Sequence, residues 1–283
     1  MYDFSRNAYL ARIGYQGPVA ADLSTLKALH LHHCCAIPFE NLDVLLGREI
    51  VVEPRQIFTK LVTAGRGGYC YEQNGLFEQA LADIGFDVRG LNARVLVSQP
   101  SEMPGRTHRL NLIELNGARW IADVGFGGAT LSAPLRLDER GIQSTPHGRY
   151  RLGRAGADFV LFVECGGQWH AQYRFDTSRA YPADDEIANF YTSRWPGSHF
   201  RHHLLLAIQH HNGTRTTAVN GRVTRHNTGE SQQQQADDNT LYDMLSRCFG
   251  LQLDNPEYGI SRDQFLAMMV SLADLSAAGT AGH

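Results

Sequence analysis

Signals that would sort this 283-residue chain quickly are missing. The five cysteines, Cys34, Cys35, Cys70, Cys165 and Cys248, are odd in number and contain no C-x-x-C pair, so a reducing compartment suits them better than a disulfide framework. No stretch approaches the apolar length of a membrane span. Residues Met1 to Arg6 lack the basic region and apolar run of a signal peptide, so a cytoplasmic protein is expected. Neither sign of charge dominates: 26 Lys+Arg stand against 29 Asp+Glu, a formal charge of -3, which argues against a general binder of nucleic-acid phosphates. The pattern of a metal centre is absent too. His30, His32, His33, Cys34 and Cys35 crowd within six residues, but no second spaced Cys/His cluster and no His-Glu-x-x-His accompanies them. No metal is expected, with these histidines on a helix surface beside partly buried cysteines. The pairs His202/His203 and His210/His211 are no better supported as ligands. Asn212-Gly213-Thr214 has the form of a glycosylation sequon and is read as a tight turn.

What is present is 43% hydrophobic residues, enough for a large core and for more than one domain. The first part reads as helical. Asp3 and Asp22 are candidate caps for two helices, and Pro54 opens a third bearing Ile57, Phe58, Leu61 and Val62. Between the second and third lies Ile37-Pro38-Phe39-Glu40-Asn41-Leu42, in which Phe39 is a pocket or core aromatic and Glu40 a candidate partner for Arg66. From Phe86 the period becomes extended, with strands over 88–97, 109–115, 118–124, 149–152, 159–164 and 169–175, fitting an antiparallel sheet or small barrel. A connecting helix from Asp184 to about Thr192 stops at Trp195-Pro196-Gly197. Three further strands over 204–210, 214–219 and 222–225 are followed by a flexible connection at Gln232 to Gln235 and a helix near Leu241 to Phe249. Ser261 and Gln264 then resemble a capping box for a last helix, with a frayed tail after about Ala277.

The most informative stretch runs from Arg66 to Asn74, Arg-Gly-Gly-Tyr-Cys-Tyr-Glu-Gln-Asn. Two glycines permit a sharp turn, and Leu76, Phe77, Ala80, Leu81 and Ile84 recur at helical spacing behind Cys70. The sulfur would then sit at the positive end of a helix, among unpaired N–H groups that stabilise negative charge. Such a cysteine is a candidate nucleophile, or alternatively a structural thiol. The Tyr71 N–H, in the same first turn, is a candidate donor to an oxyanion.

Asn116-Gly117 predicts a two-residue hairpin turn. With Leu115 facing Ala118, Leu110 faces Asp123 and His108 falls opposite Gly125. His108 and Asp123 are then diagonal neighbours on one sheet face, shared with Leu110, Leu112 and Ile121. A buried aspartate needs a hydrogen-bond partner, and the imidazole is the one that register supplies. Cys70, His108 and Asp123 form a chemically coherent set: the histidine receives the thiol proton, the aspartate orients the imidazolium, and the thiolate attacks an acyl group. Peptidase, transglutaminase-like enzyme and acyltransferase all remain open on this chemistry, as does a sensor in which Cys70 is a redox switch. Val124-Gly125-Phe126-Gly127-Gly128 matches neither the P-loop nor a complete dinucleotide fingerprint, and could present backbone N–H groups to a phosphate or a narrow cofactor arm.

Taken in order, Ile37 to Leu42, Arg66 to Asn74, His108-Arg109-Leu110-Asn111 and Ala122 to Gly127 resemble the arylamine N-acetyltransferases of bacterial type over nearly the whole chain. The resemblance implies an α/β multidomain fold with a cysteine-protease-like catalytic core. Its parts would be a helical domain over 1–85, an antiparallel β-barrel-like domain over 86–183, an interdomain segment over 184–203 and an α/β lid with a flexible tail over 204–283. It implies that Cys70 accepts acetyl from acetyl-CoA as cosubstrate, with no metal, that His108 and Asp123 complete a triad, and that coenzyme A leaves before an arylamine, hydrazine or arylhydroxylamine binds. Phe39, Phe126 and Phe200 match aromatics of the acceptor pocket, and Gly125, Phe126, Gly127 and Gly128 a turn that holds coenzyme A. Glu40 and Arg66 would be structural support. Trp195 departs from the small or polar residues expected of many relatives, so the resemblance does not assign the pocket rim or the acceptor preference.

Overall fold

In the computed structural model, which describes residues 4–97, 99–227 and 230–280, the first third of the chain is helical, as its apolar spacing predicts. Helix α1 (Arg6–Arg12) is capped by Ser5, whose hydroxyl accepts from Ala8 N; Asp3 lies outside the described residues. Helix α2 (Leu23–Ala36) is capped by Asp22, which accepts the Thr25 amide at 2.8 Å. Beyond Pro38 come a two-residue strand, β1 (Phe39–Glu40), and a short helix, α3 (Leu42–Leu45). Helix α4 (Pro54–Phe58) carries its proline in the first turn and widens into a π turn over Thr59–Thr63. Helix α5 (Cys70–Ile84) begins at the predicted residue and ends at Gly85, whose φ of 103° is left-handed. Leu26, Leu29, Leu61, Leu76, Phe77 and Leu81 pack between these helices.

The next eight strands are β2 (Asp87–Val95), β3 (Arg106–Leu115), β4 (Ala118–Ala122), β5 (Leu135–Arg136), β6 (Gln143–Thr145), β7 (Gly148–Ala155), β8 (Asp158–Cys165) and β9 (Gln168–Phe175). They form one antiparallel sheet, ordered β5-β4-β3-β2-β9-β8-β7-β6, that curls into a nearly closed barrel around Leu91, Leu110, Leu112, Ile121, Tyr150 and Phe175. The side chain of Gln143 spans the two edge strands. Its Oε1 accepts from Arg136 N at 2.7 Å and its Nε2 donates to Arg136 O at 2.9 Å, reproducing with an amide the paired bonds of a ladder. In the β3–β4 hairpin, Asn116 and Gly117 have φ of 51° and 73°, Leu115 faces Ala118 and Asn111 faces Ala122. The turn and register are those read from the sequence.

Helix α6 (Pro182–Arg194) then packs on β3. Strands β10 (Leu205–Gln209), β11 (Arg215–Val219), β12 (Arg222–His226) and β13 (Ser231–Gln235) form a second sheet, with β1 at its far edge. Gln232 to Gln235 are therefore a strand rather than a flexible connection. Every side chain of β13 is exposed, so no alternation marks it, and its order comes from backbone pairing with β12. Helices α7 (Asp238–Arg247) and α8 (Arg262–Thr280) cover this sheet through Leu241, Leu245, Phe249, Phe265 and Leu272. The capping box at α8 is formed: Ser261 N donates to Gln264 Oε1 at 3.0 Å and Gln264 N to Ser261 Oγ at 3.2 Å. The helix is described through Thr280, past the expected start of fraying, and residues 281–283 lie outside the described residues. Among the described residues no helix is long and apolar enough to cross a membrane.

The Glu40–Arg66 pairing that spacing suggested is part of a buried cluster. Arg66 Nη2 lies 2.7 Å from Glu40 Oε1 and 3.3 Å from Asp43 Oδ1, and its Nη1 donates to the carbonyl of Tyr258. Lys60 Nζ lies 2.7 Å from both Asp43 Oδ2 and Glu72 Oε1. These charges join β1, α3, the π turn and α5 beneath the turn that leads to Cys70. Removing one partner of a buried pair strands the other, at a cost of about 3–5 kcal/mol. Arg66→Met is therefore expected to lower unfolding stability by about that amount, measured by urea denaturation. Arg66→Lys should lose less, because an ammonium keeps the charge and still reaches some of the three acceptors, and an unchanged urea midpoint for Arg66→Met would overturn the assignment.

Candidate active site

The glycines before Cys70 are required for close approach. Neither Gly67 nor Gly68 has a positive φ, but a Cβ on Gly67 would run into the Pro38 carbonyl oxygen, and one on Gly68 would lie 2.8 Å from the Glu72 carboxyl carbon. The two backbones are bonded there: Glu40 N donates to Gly68 O at 3.1 Å and Gly68 N to Pro38 O at 3.3 Å. Glu72, held by Lys60, accepts from Tyr69 N at 3.1 Å and so closes the helix start. Cys70 is the first helical residue and is 3% exposed, packed among Val44, Ile50, Tyr69, Tyr71 and Ala188, with Phe39 and Phe200 against them.

His108 on β3 and Asp123 just past β4 meet as the hairpin register predicts, with His108 Nε2 2.8 Å from Asp123 Oδ2. Both are buried. The other carboxylate oxygen accepts from Asn74 Nδ2 at 2.9 Å and from Gly125 N at 3.0 Å. Burial alone would raise the pKa of Asp123; His108 first, then Asn74 and the Gly125 amide, outweigh it and hold the carboxyl below its usual value. For His108 burial disfavours the cation, but the Asp123 charge and hydrogen bond, followed by Cys70, raise its pKa to about 10. The Cys70 sulfur also lies 3.9 Å from the carbonyl oxygen of Thr107, the residue preceding His108. Cys70, His108 and Asp123 thus come from a helix start, a strand and a strand end to one point.

Other expected residues fall around that point. Phe126 sets its ring edge-on to His108 at 4.8 Å, Phe39 and Phe200 face each other at 6.3 Å, and Phe200 also meets Tyr69 at 5.6 Å. Tyr71 occupies the first turn of α5, with its side chain buried. In the Gly125 to Gly128 turn, a Cβ on Gly125 would lie 2.9 Å from Cys70 Cα, and Gly127 has φ of 84°. Those two glycines are thus accounted for by packing and backbone. The Phe126 amide is already engaged by Thr130 Oγ1 at 3.2 Å. Trp195 stands apart, exposed and stacked on Tyr191 at 5.8 Å. A cavity of about 430 Å³ between α6 and the end of the β2–β3 pair, lined by Asn92, Arg106, Arg179 and Tyr191, reaches the site at Thr107 and Ala188.

Some residues that build the site drew no role in the sequence. Asn74, one turn after Cys70, donates to Arg109 O at 2.7 Å and accepts from Val124 N at 3.0 Å, besides holding Asp123. Its i+4 spacing from Cys70 is the one signal that could have found it. Tyr173 packs on His108 from β9 with ring centroids 5.0 Å apart, and nothing local marks it. Arg109 pairs with Glu78 on α5 and Asp185 on α6, tying both helices to the strand that carries His108. The histidines of α2 need correction: His30 and His33 are fully buried, because strand β4 and α5 supply hydrogen-bond partners that no local spacing reveals. Among the described residues no group of three or more His, Cys, Asp or Glu is arranged to hold a metal ion.

The same geometry is embedded in a chain with clear relatives. A family model described as N-acetyltransferase matches residues 22–258. The chain is 46% identical to the arylamine N-acetyltransferase of Escherichia coli (strain K12), over 94% of this chain and 95% of that one. It is 44% identical, with the same coverage, to a Salmonella typhimurium protein named arylamine N-acetyltransferase / N-hydroxyarylamine O-acetyltransferase. Among solved structures, arylamine N-acetyltransferase from Salmonella typhimurium superposes with a TM-score of 0.91 at 44% identity, covering 94% of this chain and 98% of that one. The Mycobacterium marinum enzyme in complex with CoA gives 0.90 at 32% identity, covering 95% and 99%. With identity this high along almost the full length of both chains, and a fold matched over 94% of this one, this chain belongs to the arylamine N-acetyltransferase family.

Proposed function

We propose that this protein transfers acetyl from acetyl-coenzyme A to the nitrogen of arylamines and arylhydrazines, and to the oxygen of arylhydroxylamines, in a ping-pong cycle through acetylated Cys70. The observation that carries this reading is the 2.8 Å contact of His108 Nε2 with Asp123 Oδ2 beside a cysteine that opens a helix. With Nε2 committed to Asp123, Nδ1 is the nitrogen that takes the Cys70 thiol proton. The Cys70 sulfur attacks the thioester carbonyl carbon, and the Tyr71 N–H faces the oxyanion that forms. As the carbon–sulfur bond to coenzyme A breaks, His108 returns its proton to the departing sulfur. In the second half, His108 accepts a proton from the attacking nitrogen or hydroxyl oxygen, and the Cys70–acetyl bond breaks to regenerate the thiolate.

Burial of Cys70 among aromatic rings favours a small flat acceptor over a peptide chain, which needs an open groove, and the named relatives favour acetyl transfer over peptidase or transglutaminase chemistry. Phe39, Phe126 and Phe200 are the proposed acceptor walls. Gly125, Phe126, Gly127 and Gly128 are proposed to meet coenzyme A, chiefly through the Phe126 ring and the Gly127 and Gly128 backbone, since Asp123 already engages the Gly125 amide. Glu40 and Arg66 support the turn before Cys70. The domain reading is a helical unit over 1–85 carrying Cys70, a barrel over 86–183 carrying His108 and Asp123, a connection over 184–203 and a lid over 204–283, meeting in a cysteine-protease-like core. Three apolar clusters support it in outline, with Leu42 packed in the lid cluster and Ile113, Ala122 and Val124 in the helical one. Action in the cytoplasm is proposed, consistent with five unpaired cysteines.

Brief exposure to acetyl-coenzyme A without acceptor, followed by rapid quench and peptide mass analysis, should find acetyl on Cys70 and none in Cys70→Ala; an active enzyme without that adduct would reject the covalent route. Asp123→Asn removes the charge that orients and charges His108, and kcat should fall by about 10³–10⁴-fold, read by single-turnover acetylation; a loss under tenfold would show Asp123 to be dispensable. The pH dependence has a definite sign. Because the His108 pKa is raised from 6.5 to about 10, the stability it contributes is complete below pH 6.5 and declines as pH rises toward about 10. The melting temperature should therefore drop across that window more steeply in the wild type than in His108→Gln, and parallel curves would contradict the assigned cation.

A further inference from the structure

Beneath the site, α2 carries polar groups that the transfer chemistry does not use. Asp123 N donates to His30 Nε2 at 3.2 Å, His30 Nδ1 lies 3.9 Å from Cys34 Sγ, and Cys34 Sγ donates to Leu131 O at 3.3 Å. The ends of this chain fix its polarity. A main-chain N–H can only donate and a carbonyl can only accept, so His30 Nε2 is bare, Nδ1 carries the hydrogen, and the thiol hydrogen points at Leu131. Asp123 and Leu131 bracket the segment that contains Gly125 to Gly128. Thr130 Oγ1 braces that segment from within by donating to Asp123 O at 2.8 Å and accepting from Phe126 N at 3.2 Å.

Three residues along the helix the polarity reverses. Gln73 Nε2 donates to Pro38 O at 2.7 Å and Gly68 O at 3.2 Å, which leaves Oε1 to accept from His33 Nε2 at 2.8 Å. His33 therefore carries its hydrogen on Nε2 and accepts the Tyr9 hydroxyl hydrogen on Nδ1, at 3.0 Å. Burial lowers both imidazoles to about 3, so each is neutral at working pH. Neutrality matters at His30. A proton on Nε2 would set N–H against N–H at Asp123 and put a second cation beside the carboxylate that His108 needs.

We infer that His30 and Cys34 are positioning residues that staple the main chain at both ends of the Asp123–Leu131 segment, while His33, through Gln73, holds the start of the Cys70 helix. Its kinetic consequence rests on the acetyl-transfer reading, whereas the tautomers and the reactivity of Cys70 do not.

The test compares His30→Gln, whose Oε1 can replace the Nε2 acceptor, with His30→Leu, which cannot. Alkylation of Cys70 by iodoacetamide, followed by mass analysis of its peptide across pH, and kcat with an arylamine acceptor are the readouts. His30→Leu should slow alkylation at neutral pH and lower kcat by about tenfold each, with acceptor KM within about twofold, while His30→Gln stays within about threefold of wild type. In ¹⁵N-histidine spectra of the wild type, His30 should be the Nδ1–H tautomer and His33 the Nε2–H tautomer, neither titrating between about pH 5 and 9. A His30→Leu protein matching wild type in both rates, a His30→Gln protein as impaired as His30→Leu while melting normally, or a His30 signal of the opposite tautomer would each overturn the inference. Should His30→Leu not fold, the wild-type tautomers decide. Wild type that alkylates as expected but transfers no acetyl would reject the transfer reading and leave the alkylation comparison to judge the staple.

Discussion

The side-chain amide of Asn74 spans the gap between the helix that carries Cys70 and the hairpin that carries His108 and Asp123. Its nitrogen donates to the Asp123 carboxylate and to the Arg109 carbonyl, and its oxygen accepts the Val124 amide. Asn111 returns a bond from its own side chain to the Asn74 carbonyl at 2.9 Å. An amide suits this place because it offers donors and an acceptor in one plane, with no charge to compete with His108 for Asp123. Buried and fully engaged, it sets helix and sheet at one distance, and the mutual position of thiol, imidazole and carboxylate depends on that distance.

Two further constraints hold the approach. From below, three carboxylates and two cations lock the turn before Cys70 to β1, α3 and the π turn, and the absent Cβ atoms of Gly67 and Gly68 make room for the Pro38 carbonyl and the Glu72 carboxylate. From the sheet side, the absent Cβ of Gly125 lets the loop after Asp123 lie directly on Cys70. The aromatic rings of Phe39, Phe200, Phe126 and Tyr173 fill much of what is left. A thiol enclosed in this way is shielded from bulk water, which suits the acetyl-cysteine intermediate proposed above.

The hairpin explains why part of the site was legible in advance. Side chains on paired strands alternate faces with period two, so one turn of known type assigns a face to every residue on both arms. Asn116-Gly117 therefore put His108 and Asp123 together before any tertiary information. The start of α5 was readable from the glycines and the helical period, and the structure adds that these glycines, neither of positive φ, serve close packing. Strand β13 was not legible, because a strand exposed on both faces carries no alternation. Nor were the buried histidines of α2: whether an imidazole faces water or core is decided by what lies opposite, and here that is a strand end about ninety residues away.

By itself, then, the sequence determined the helical and extended thirds of the chain, the hairpin register, the candidate nucleophile with its His–Asp pair, and, through ordered motifs, the family. Each of these rests on local periodicity, turn chemistry or motif identity, which neighbouring residues along the chain are sufficient to define. Only the tertiary structure decided that Asn74 is the bridge, that His30 and Cys34 lie under Asp123, that Gln143 spans the barrel seam, and that β1 edges the second sheet. Those are contacts between segments far apart in sequence. Their partners are chosen by packing and by the need to satisfy buried polar groups, and neither leaves a local mark.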